Sequence, residues 1–239
     1  MNNILLLILL TFGLTSSAQN RTTPYDFPIR PGTEEWEKLK SGKEMSDACN
    51  IPDSILSLLT TEALAKTCLS YPLLNEIFYA NNLQKGIEGL IKNFNGLSEL
   101  LSRKDAGKEL LKIYKKKNVN ELNENLNELQ QGLFTFEFTY LELLLSQPEI
   151  LDNLNSQESI ALGREAITKY DNKKEKIDIF GEFGLTTSVF VIAKVLNAEN
   201  KLTEVLKTIS KKEIDIFLAT LTYSNPLTVS VIYHVGKSL

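Results

Sequence analysis

The segment from Leu122 to Leu143 constrains the fold most, because it carries two apolar patterns that predict different structures. Four aromatic side chains alternate with other residues as in a β-strand, namely Phe134, Phe136, Phe138 and Tyr140. A second pattern has the three- and four-residue steps of one helix face, through Leu122, Leu126, Leu129, Leu133, Phe136, Tyr140 and Leu143. A strand would leave the first half of this stripe unexplained. The sequence therefore predicts one long helix over residues 119–145, with Phe136 and Tyr140 buried on the same side.

Helix-start signals recur along the rest of the chain. Ser-x-x-Glu capping boxes begin at Ser41, Ser146 and Ser210, and Asn155 with Glu158 is a close variant. In such a box the first side chain accepts a hydrogen bond from the backbone N–H three residues later. Since almost every segment beyond the N-terminal region has such signals or helical periodicity, the sequence predicts an all-α fold of about 9–11 helices.

Two arrangements of these helices remain open, an α-solenoid-like superhelix and an irregular helical bundle. A weak internal similarity relates the segment at Ser54 to the segment at Glu149, since each has an Ile-Leu pair followed three residues later by leucine. Helical repeats of this kind stack into superhelices. We therefore expect a single all-helical domain over residues 33–239, which the repeat would divide into similar halves near 33–117 and 118–239.

The N-terminal segment has the pattern of a secretory signal. An uncharged apolar run from Ile4 to Leu10 is followed by a polar stretch that ends in small residues. We expect residues 1–18 to be a signal peptide that is cleaved between Ala18 and Gln19. An extended, proline-rich arm is expected over residues 19–32. We therefore expect the mature protein to be exported, to a periplasm or to the cell exterior.

Charge and hydropathy limit the partners. The net charge of −4 argues against binding to nucleic acid, whose phosphates require a basic surface. The N-terminal apolar run and a later one, Phe183 to Ala193, are both shorter than the roughly 20 residues that span a bilayer. We therefore expect no stable membrane insertion. The apolar fraction of 43% is sufficient for a substantial core.

The two cysteines, Cys49 and Cys68, indicate a structural role. Each follows an apolar residue by four positions, which places both thiols on the apolar face of a short helix. A catalytic thiolate needs a cationic, partly exposed setting, and two cysteines without histidines do not complete a zinc site. In an oxidising compartment we expect Cys49 and Cys68 to form a disulfide, and two buried free thiols are the alternative.

Few residues offer catalytic chemistry. The single histidine, His234, lies near the C-terminus beside Val231 and Val235, a setting more typical of packing or of the surface than of catalysis. The sequence contains no glycine-rich phosphate loop, no Cys-x-x-Cys and no His-Glu-x-x-His. We therefore assign no catalytic residue, no metal ligand and no cofactor.

Carboxylates alone can nevertheless perform acid–base chemistry, as in glycoside hydrolysis. Six acidic residues lie on predicted helices: Glu62, Glu76, Glu88, Asp105, Glu137 and Glu165. Glu137 stands between Phe136 and Phe138, where apolar surroundings would raise the pKa of its carboxyl. The alternative is that Glu137 lies on the polar edge of its helix or pairs with a lysine.

Three segments, DFPIRPGTEEWEKL, TTEALAKTCLSYPLL and NFNGLSELLSRKDAGKELL, resemble uncharacterised secreted helical proteins of Gram-negative gut bacteria. The resemblance covers residues 25–114. It implies an exported, all-helical protein, and it carries no activity and no catalytic residues.

Two functions follow as hypotheses. The first is a non-enzymatic binding or scaffold protein that presents a surface to a peptide or protein partner, with an inhibitor or immunity protein as a special case. The segment FYANN, Phe78 to Asn82, has the aromatic and amide composition of a binding face, although a buried Phe78 and a capping Asn82 would also explain it. The alternative is a carboxylate-based hydrolase that acts on cell-wall or glycan material.

Overall fold

The computed structural model describes residues 20–122 and 126–239, and within these ranges the chain is all-α, as predicted. The first half contains α1 (Glu34–Glu37), α2 (Gly42–Ala48), α3 (Asp53–Leu56), α4 (Thr61–Leu69), α5 (Leu83–Asn93), α6 (Asn95–Ser102) and α7 (Ala106–Lys116). The second half contains α8 (Glu128–Leu145), α9 (Pro148–Leu151), α10 (Ser156–Lys174), α11 (Ile177–Ala198), α12 (Thr203–Leu206), α13 (Lys211–Thr220) and α14 (Leu227–Gly236). Two 3₁₀ helices, Leu74–Tyr79 and Val119–Glu121, complete the described elements.

Three of the four predicted helix starts are confirmed. Asn155 begins α10 with a complete capping box, in which Asn155 and Glu158 each accept the other's backbone N–H at 3.0 Å. Ser41 and Ser210 begin α2 and α13, and each side chain accepts the backbone N–H of the glutamate three residues later. These bonds satisfy N–H groups that the first turn of a helix would otherwise leave unpaired.

The predicted start at Ser146 is wrong. Ser146 is the last, capping residue of α8, and its hydroxyl donates to the carbonyl of Glu142 at 2.7 Å. The next helix, α9, begins two residues later at Pro148, whose missing N–H costs nothing in a first turn. The hydroxyl of Ser146 therefore bonds to the last turn of the helix that it ends. The local sequence does not distinguish this geometry from that of a serine that caps the start of the next helix.

The predicted helix over residues 119–145 is correct only in its later part. The chain forms a 3₁₀ turn at Val119–Glu121, and residues 123–125 lie outside the described ranges. The α-helix begins at Glu128, because Asn127 and Gln130 form a second complete capping box. The alternation of aromatic residues from Phe134 to Tyr140 is helical, and no strand forms there.

The apolar stripe of α8 is buried only in the second half of that helix. Phe138 and Tyr140 have no exposed surface, and Phe136 is half-buried. In the first half of the helix, Leu129 is 72% exposed and Leu133 is 56% exposed. Of the two residues expected to be buried on the same side, Tyr140 is therefore buried and Phe136 is only half-buried. The periodicity identified a helix face, and half of that face has no partner among the described residues.

The helices form an irregular bundle around one continuous core. In the second half, α11 packs against α8, α10, α13 and α14. Contacts between α5 and α13 and between α7 and α10 join elements that are far apart in the chain. A solenoid places each repeat against its neighbours only. Of the two arrangements that the sequence left open, the irregular bundle therefore describes these contacts better.

A break in α11 shapes the surface near its start. Gly181 has φ +63° and ψ 174°, a conformation that side chains with a Cβ rarely adopt, so the helical path is interrupted between Phe180 and Glu182. The helix continues beyond the apolar run at 183–193 on both sides, past Glu182 and Lys194, and α11 as a whole is long and apolar enough, by length and composition, to cross a membrane. However, 72% of its most apolar 18-residue stretch is buried inside the protein, as is usual for a helix that forms part of a core.

The arm over residues 19–32 lies against the first half of the domain in its described part. The backbone N–H of Arg21 donates to Leu58, and the N–H of Tyr25 donates to the hydroxyl of Thr67 at 2.8 Å. Phe27 is buried and completes the core there. The predicted signal peptide, including its cleavage site between Ala18 and Gln19, lies outside the described residues.

Candidate functional site

A groove forms where the first half of α8 meets the 3₁₀ helix Leu74–Tyr79 and the start of α11. Its volume is about 560 Å³. We call it the apolar groove, and its lining residues are Asn75, Phe78, Glu128, Leu129, Gly132, Leu133, Thr135, Phe136, Thr139, Phe180, Phe183 and Gly184. The three elements bring together side chains that are distant in sequence.

Aromatic contacts connect the walls of this groove. The ring of Phe78 lies 5.1 Å from that of Phe136 and 6.1 Å from that of Phe183. Phe78 is nevertheless 49% exposed, and Phe183 is 46% exposed. Together with Leu129 and Leu133 they form a contiguous apolar surface, which soluble proteins usually keep small unless it binds something.

The position of Phe78 depends on a close approach between the 3₁₀ helix and α5. A Cβ built on Gly86 would lie 2.1 Å from the carbonyl oxygen of Ile77, so only glycine fits there. Asn82 caps α5 by accepting the N–H of Lys85 at 2.9 Å. Within the FYANN segment, Asn82 is therefore a capping residue, and Phe78 is exposed in the groove.

A second depression adjoins the apolar groove, with a volume of about 390 Å³. Phe183 lines both, and the other lining residues of this adjoining depression are Asn82, Leu83, Glu182, Thr186, Thr220, Leu221, Thr222 and Tyr223. Within the part of the chain that the structure describes, Glu128 is the one charged residue that lines the groove, and Glu182 is the one that lines the adjoining depression. Among the described residues neither carboxylate belongs to an ion pair.

A fully buried ion pair lies directly behind the groove. The Nζ of Lys173 is 2.7 Å and 2.8 Å from the two carboxylate oxygens of Glu142, and neither side chain has exposed surface. The hydroxyls of Tyr114, Thr187 and Ser188 also donate to Glu142. The carboxylate therefore has hydrogen bonds at both oxygens, which a buried charge requires.

This ion pair also contacts the groove wall. The Nζ of Lys173 donates to the carbonyl of Gly184 at 3.0 Å and lies 5.7 Å from the ring centre of Phe180. Gly184 and Phe180 both line the groove. Burial lowers the pKa of Lys173, and the charge of Glu142 opposes that shift. Through its bond to Gly184, the ion pair holds the start of α11 in place. Because no solvent reaches the pair, it offers no site for a substrate.

Glu137 takes the second of the two roles predicted for it. Its side chain is exposed at the surface and pairs with Lys117. The two residues line a cleft of about 540 Å³ between α4, α7 and α8, together with Glu62, Lys66, Leu69, Glu109, Lys112, Ile113, Lys116 and Leu141. Each of the three carboxylates in this cleft pairs with a lysine. The hydrogen bond from Lys66 lowers the pKa of Glu62, which is the opposite of what a general acid needs.

The other acidic candidates are dispersed. Glu165 pairs with Lys169, and Glu88 pairs with Lys85. Asp105 accepts a hydrogen bond from Thr61, and burial raises the pKa of Glu76. None of these four lines the cleft between α4, α7 and α8. Of the six predicted carboxylates, the structure therefore brings only Glu62 and Glu137 to one cleft.

The only histidine has no catalytic partner among the described residues. His234 is exposed on α14, and its Nδ1 lies 2.6 Å from the carbonyl oxygen of Ser230 in the same helix. Within residues 20–122 and 126–239 no group of three or more histidine, cysteine or acidic side chains is placed to hold a metal ion.

The predicted disulfide is absent, and Cys49 and Cys68 are both free and buried. The two thiols have different surroundings. The Sγ of Cys49, at the end of α2, lies 3.8 Å from the carbonyl oxygen of Ile29 in the arm. Cys68 is on the buried face of α4, which packs against α6, α7 and α8. Burial raises the pKa of Cys49 to about 11 and that of Cys68 further. Both thiols are therefore protonated at neutral pH.

Comparison with known proteins identifies no relative: no family model, no curated protein and no solved structure matches the chain.

Proposed function

We propose that this chain is an exported, non-enzymatic helical binding protein, and that the apolar groove receives the apolar face of a peptide or protein partner. One observation carries the proposal. Leu129 and Leu133, which continue the buried stripe of α8, remain largely exposed beside the half-exposed rings of Phe78 and Phe183. A partner that covered these side chains would remove apolar surface from water.

Sequence pattern supports the same proposal. Leu129 and Leu133 belong to a helical stripe whose later members, Phe136 and Tyr140, contribute to the core. The apolar character thus continues past the edge of the core onto the surface. Binding sites commonly combine apolar and aromatic side chains in this way.

Export is proposed from the N-terminal sequence. The apolar run from Ile4 to Leu10, followed by small residues up to Ala18, matches a secretory signal. The resemblance of residues 25–114 to secreted helical proteins of gut bacteria agrees with it. A peptide or protein partner would then be met in the periplasm or outside the cell.

The alternative function, a hydrolase with paired carboxylates, has weaker support. The cleft between α4, α7 and α8 places Glu62, Glu109 and Glu137 on one surface. Each of them is neutralised by a lysine, whereas glycoside hydrolysis needs one carboxyl that holds its proton near neutral pH.

Site-specific photocrosslinking in the native organism tests the proposed function. A benzophenone amino acid at Leu133 is expected to give a discrete crosslinked product. The matched control places the same group at Lys43, which is exposed on α2 and lines neither the groove nor the adjoining depression. Absence of a product at Leu133, or the same products from both positions, would contradict binding at the groove.

A further inference from the structure

We infer that the partner segment is a basic amphipathic helix, which lies along α8 with its apolar face in the groove and its cationic residues opposite Glu128 and Glu182. This inference rests on the proposed function and adds to it the chemistry of the partner.

Charge is the first argument. Among the described residues, Glu128 is the only charged residue that lines the apolar groove, and Glu182 is the only one that lines the adjoining depression. The groove and the adjoining depression share Phe183, so the combined surface has one carboxylate in each part, beside apolar side chains. Among the described residues these carboxylates belong to no ion pair, unlike all three carboxylates in the cleft between α4, α7 and α8. A cationic partner would supply the missing counter-charges.

The shape of the groove is the second argument. Leu129, Gly132, Leu133 and Phe136 have the spacing of one helix face, and from first to last they span about 10 Å along the axis of α8. Apart from Gly132, its two chain neighbours and the nearby backbone of α8 itself, no described atom lies within 4 Å of the position that a Cβ on Gly132 would occupy. A second helix can therefore approach α8 closely between the two leucines, with its own side chains seated between theirs.

The same carboxylates argue against two other occupants. A second copy of this chain, packed about a two-fold axis, would bring the same acidic surface to both sides of the interface, and the net charge of −4 adds to that repulsion. An anionic bilayer would repel Glu128 and Glu182 for the same reason.

Three synthetic peptides test the inference. Each has about 14 residues, enough to form a helix on binding, with leucines on one face and lysine, glutamine or glutamate on the other. Affinity is measured by fluorescence anisotropy with the wild type, with Glu128→Gln/Glu182→Gln, and with Glu34→Gln/Glu149→Gln. The last variant removes the same net charge at two exposed first-turn glutamates outside the groove.

For the wild type, we expect the lysine peptide to bind at least about tenfold more tightly than the glutamate peptide, with the glutamine peptide between them. The difference should fall at high salt, as exposed charge interactions do. It should largely disappear in Glu128→Gln/Glu182→Gln and persist in Glu34→Gln/Glu149→Gln.

Equal affinity for all three peptides would overturn the inference about charge and leave binding at the groove intact. If no peptide binds, the helical partner is rejected, and crosslinking at Leu133 decides the proposed function separately. A stable dimer in sedimentation equilibrium, or binding to vesicles of phosphatidylcholine and phosphatidylglycerol without competition from the lysine peptide, would also overturn it.

Discussion

The ring of Phe78 lies 5.1 Å from the ring of Phe136, and this contact joins a 3₁₀ helix in the first half of the chain to α8 in the second. Phe183 of α11 adds a third ring, 6.1 Å from Phe78. Three separate elements thus build one aromatic surface, yet Phe78 and Phe183 remain about half exposed. The proposed partner would cover these half-exposed rings.

The two halves of α8 should respond differently to truncation. Phe138→Ala removes a fully buried ring and should lower the free energy of unfolding by about 3–5 kcal/mol. Leu133→Ala removes a largely exposed side chain and should change it by no more than about 0.5 kcal/mol. Urea unfolding of both variants measures the difference. Similar losses would mean that Leu133 is packed in solution.

The buried ion pair should show strong coupling. Lys173→Met leaves the Glu142 carboxylate buried without a counter-charge, which should cost about 3–5 kcal/mol. Adding Glu142→Gln should recover part of this loss, because a neutral amide oxygen still accepts hydrogen bonds from Tyr114 and Ser188. A double-mutant cycle on the free energy of unfolding measures the coupling. Strictly additive effects would show that the two charges do not interact.

The thiols should be free but protected. Because burial raises the pKa of both Cys49 and Cys68, neither should react with a thiol reagent at about pH 8 while the protein is folded. Two thiols per chain should appear after unfolding in denaturant without a reductant. An unfolded, unreduced sample with no reactive thiol would restore the disulfide that the sequence predicted.

Glu213 should contribute stability that depends on pH. Its carboxylate accepts the backbone N–H groups of Asn225 and Ser224 at 2.8 Å and 2.6 Å, and these bonds hold its pKa below the usual 4.5. A lowered pKa in the folded state gives stability that is present above the unfolded pKa and is lost as the pH falls through the folded value. These bonds also fix the loop that carries Tyr223 into the adjoining depression.

Acid titration of the free energy of unfolding tests this contribution. The wild type should lose more stability than Glu213→Gln between about pH 5 and pH 3, because only the wild type has the carboxylate to protonate. Identical pH profiles for the two proteins would contradict the effect.

The all-α class could be predicted because its signals are local. The start of α10 at Asn155 depends on hydrogen bonds within four residues, and the period of the stripe from Leu129 to Tyr140 is a property of one helix. The start of α8 was predicted too early, because the capping box at Asn127 interrupts an apolar periodicity that continues on both sides of it.

The groove and the ion pair could not be predicted, because both depend on contacts between distant segments. A helical stripe does not reveal which of its leucines faces the core, so the exposure of Leu133 could not be predicted. Glu142 lies among leucines in the sequence, and its partner Lys173 is on another helix, α10. The predicted disulfide is wrong for the same reason, because the distance between two cysteines depends on how distant segments pack, and Cys49 and Cys68 remain free.

Comparison of two matched leucines tests the proposed groove most directly. Leu133 is 56% exposed inside the groove, and Leu227 is 54% exposed at the start of α14, outside both the groove and the adjoining depression. Binding of the lysine peptide is measured by titration calorimetry with the wild type, Leu133→Asp and Leu227→Asp. Each variant adds the same charge, so only the position differs.

We predict that Leu133→Asp weakens peptide binding by at least about tenfold, because it places a hydrated carboxylate where apolar contact is required. Leu227→Asp should bind as tightly as the wild type. Equal affinities for the two variants, with both proteins folded, would contradict the apolar groove as the binding site.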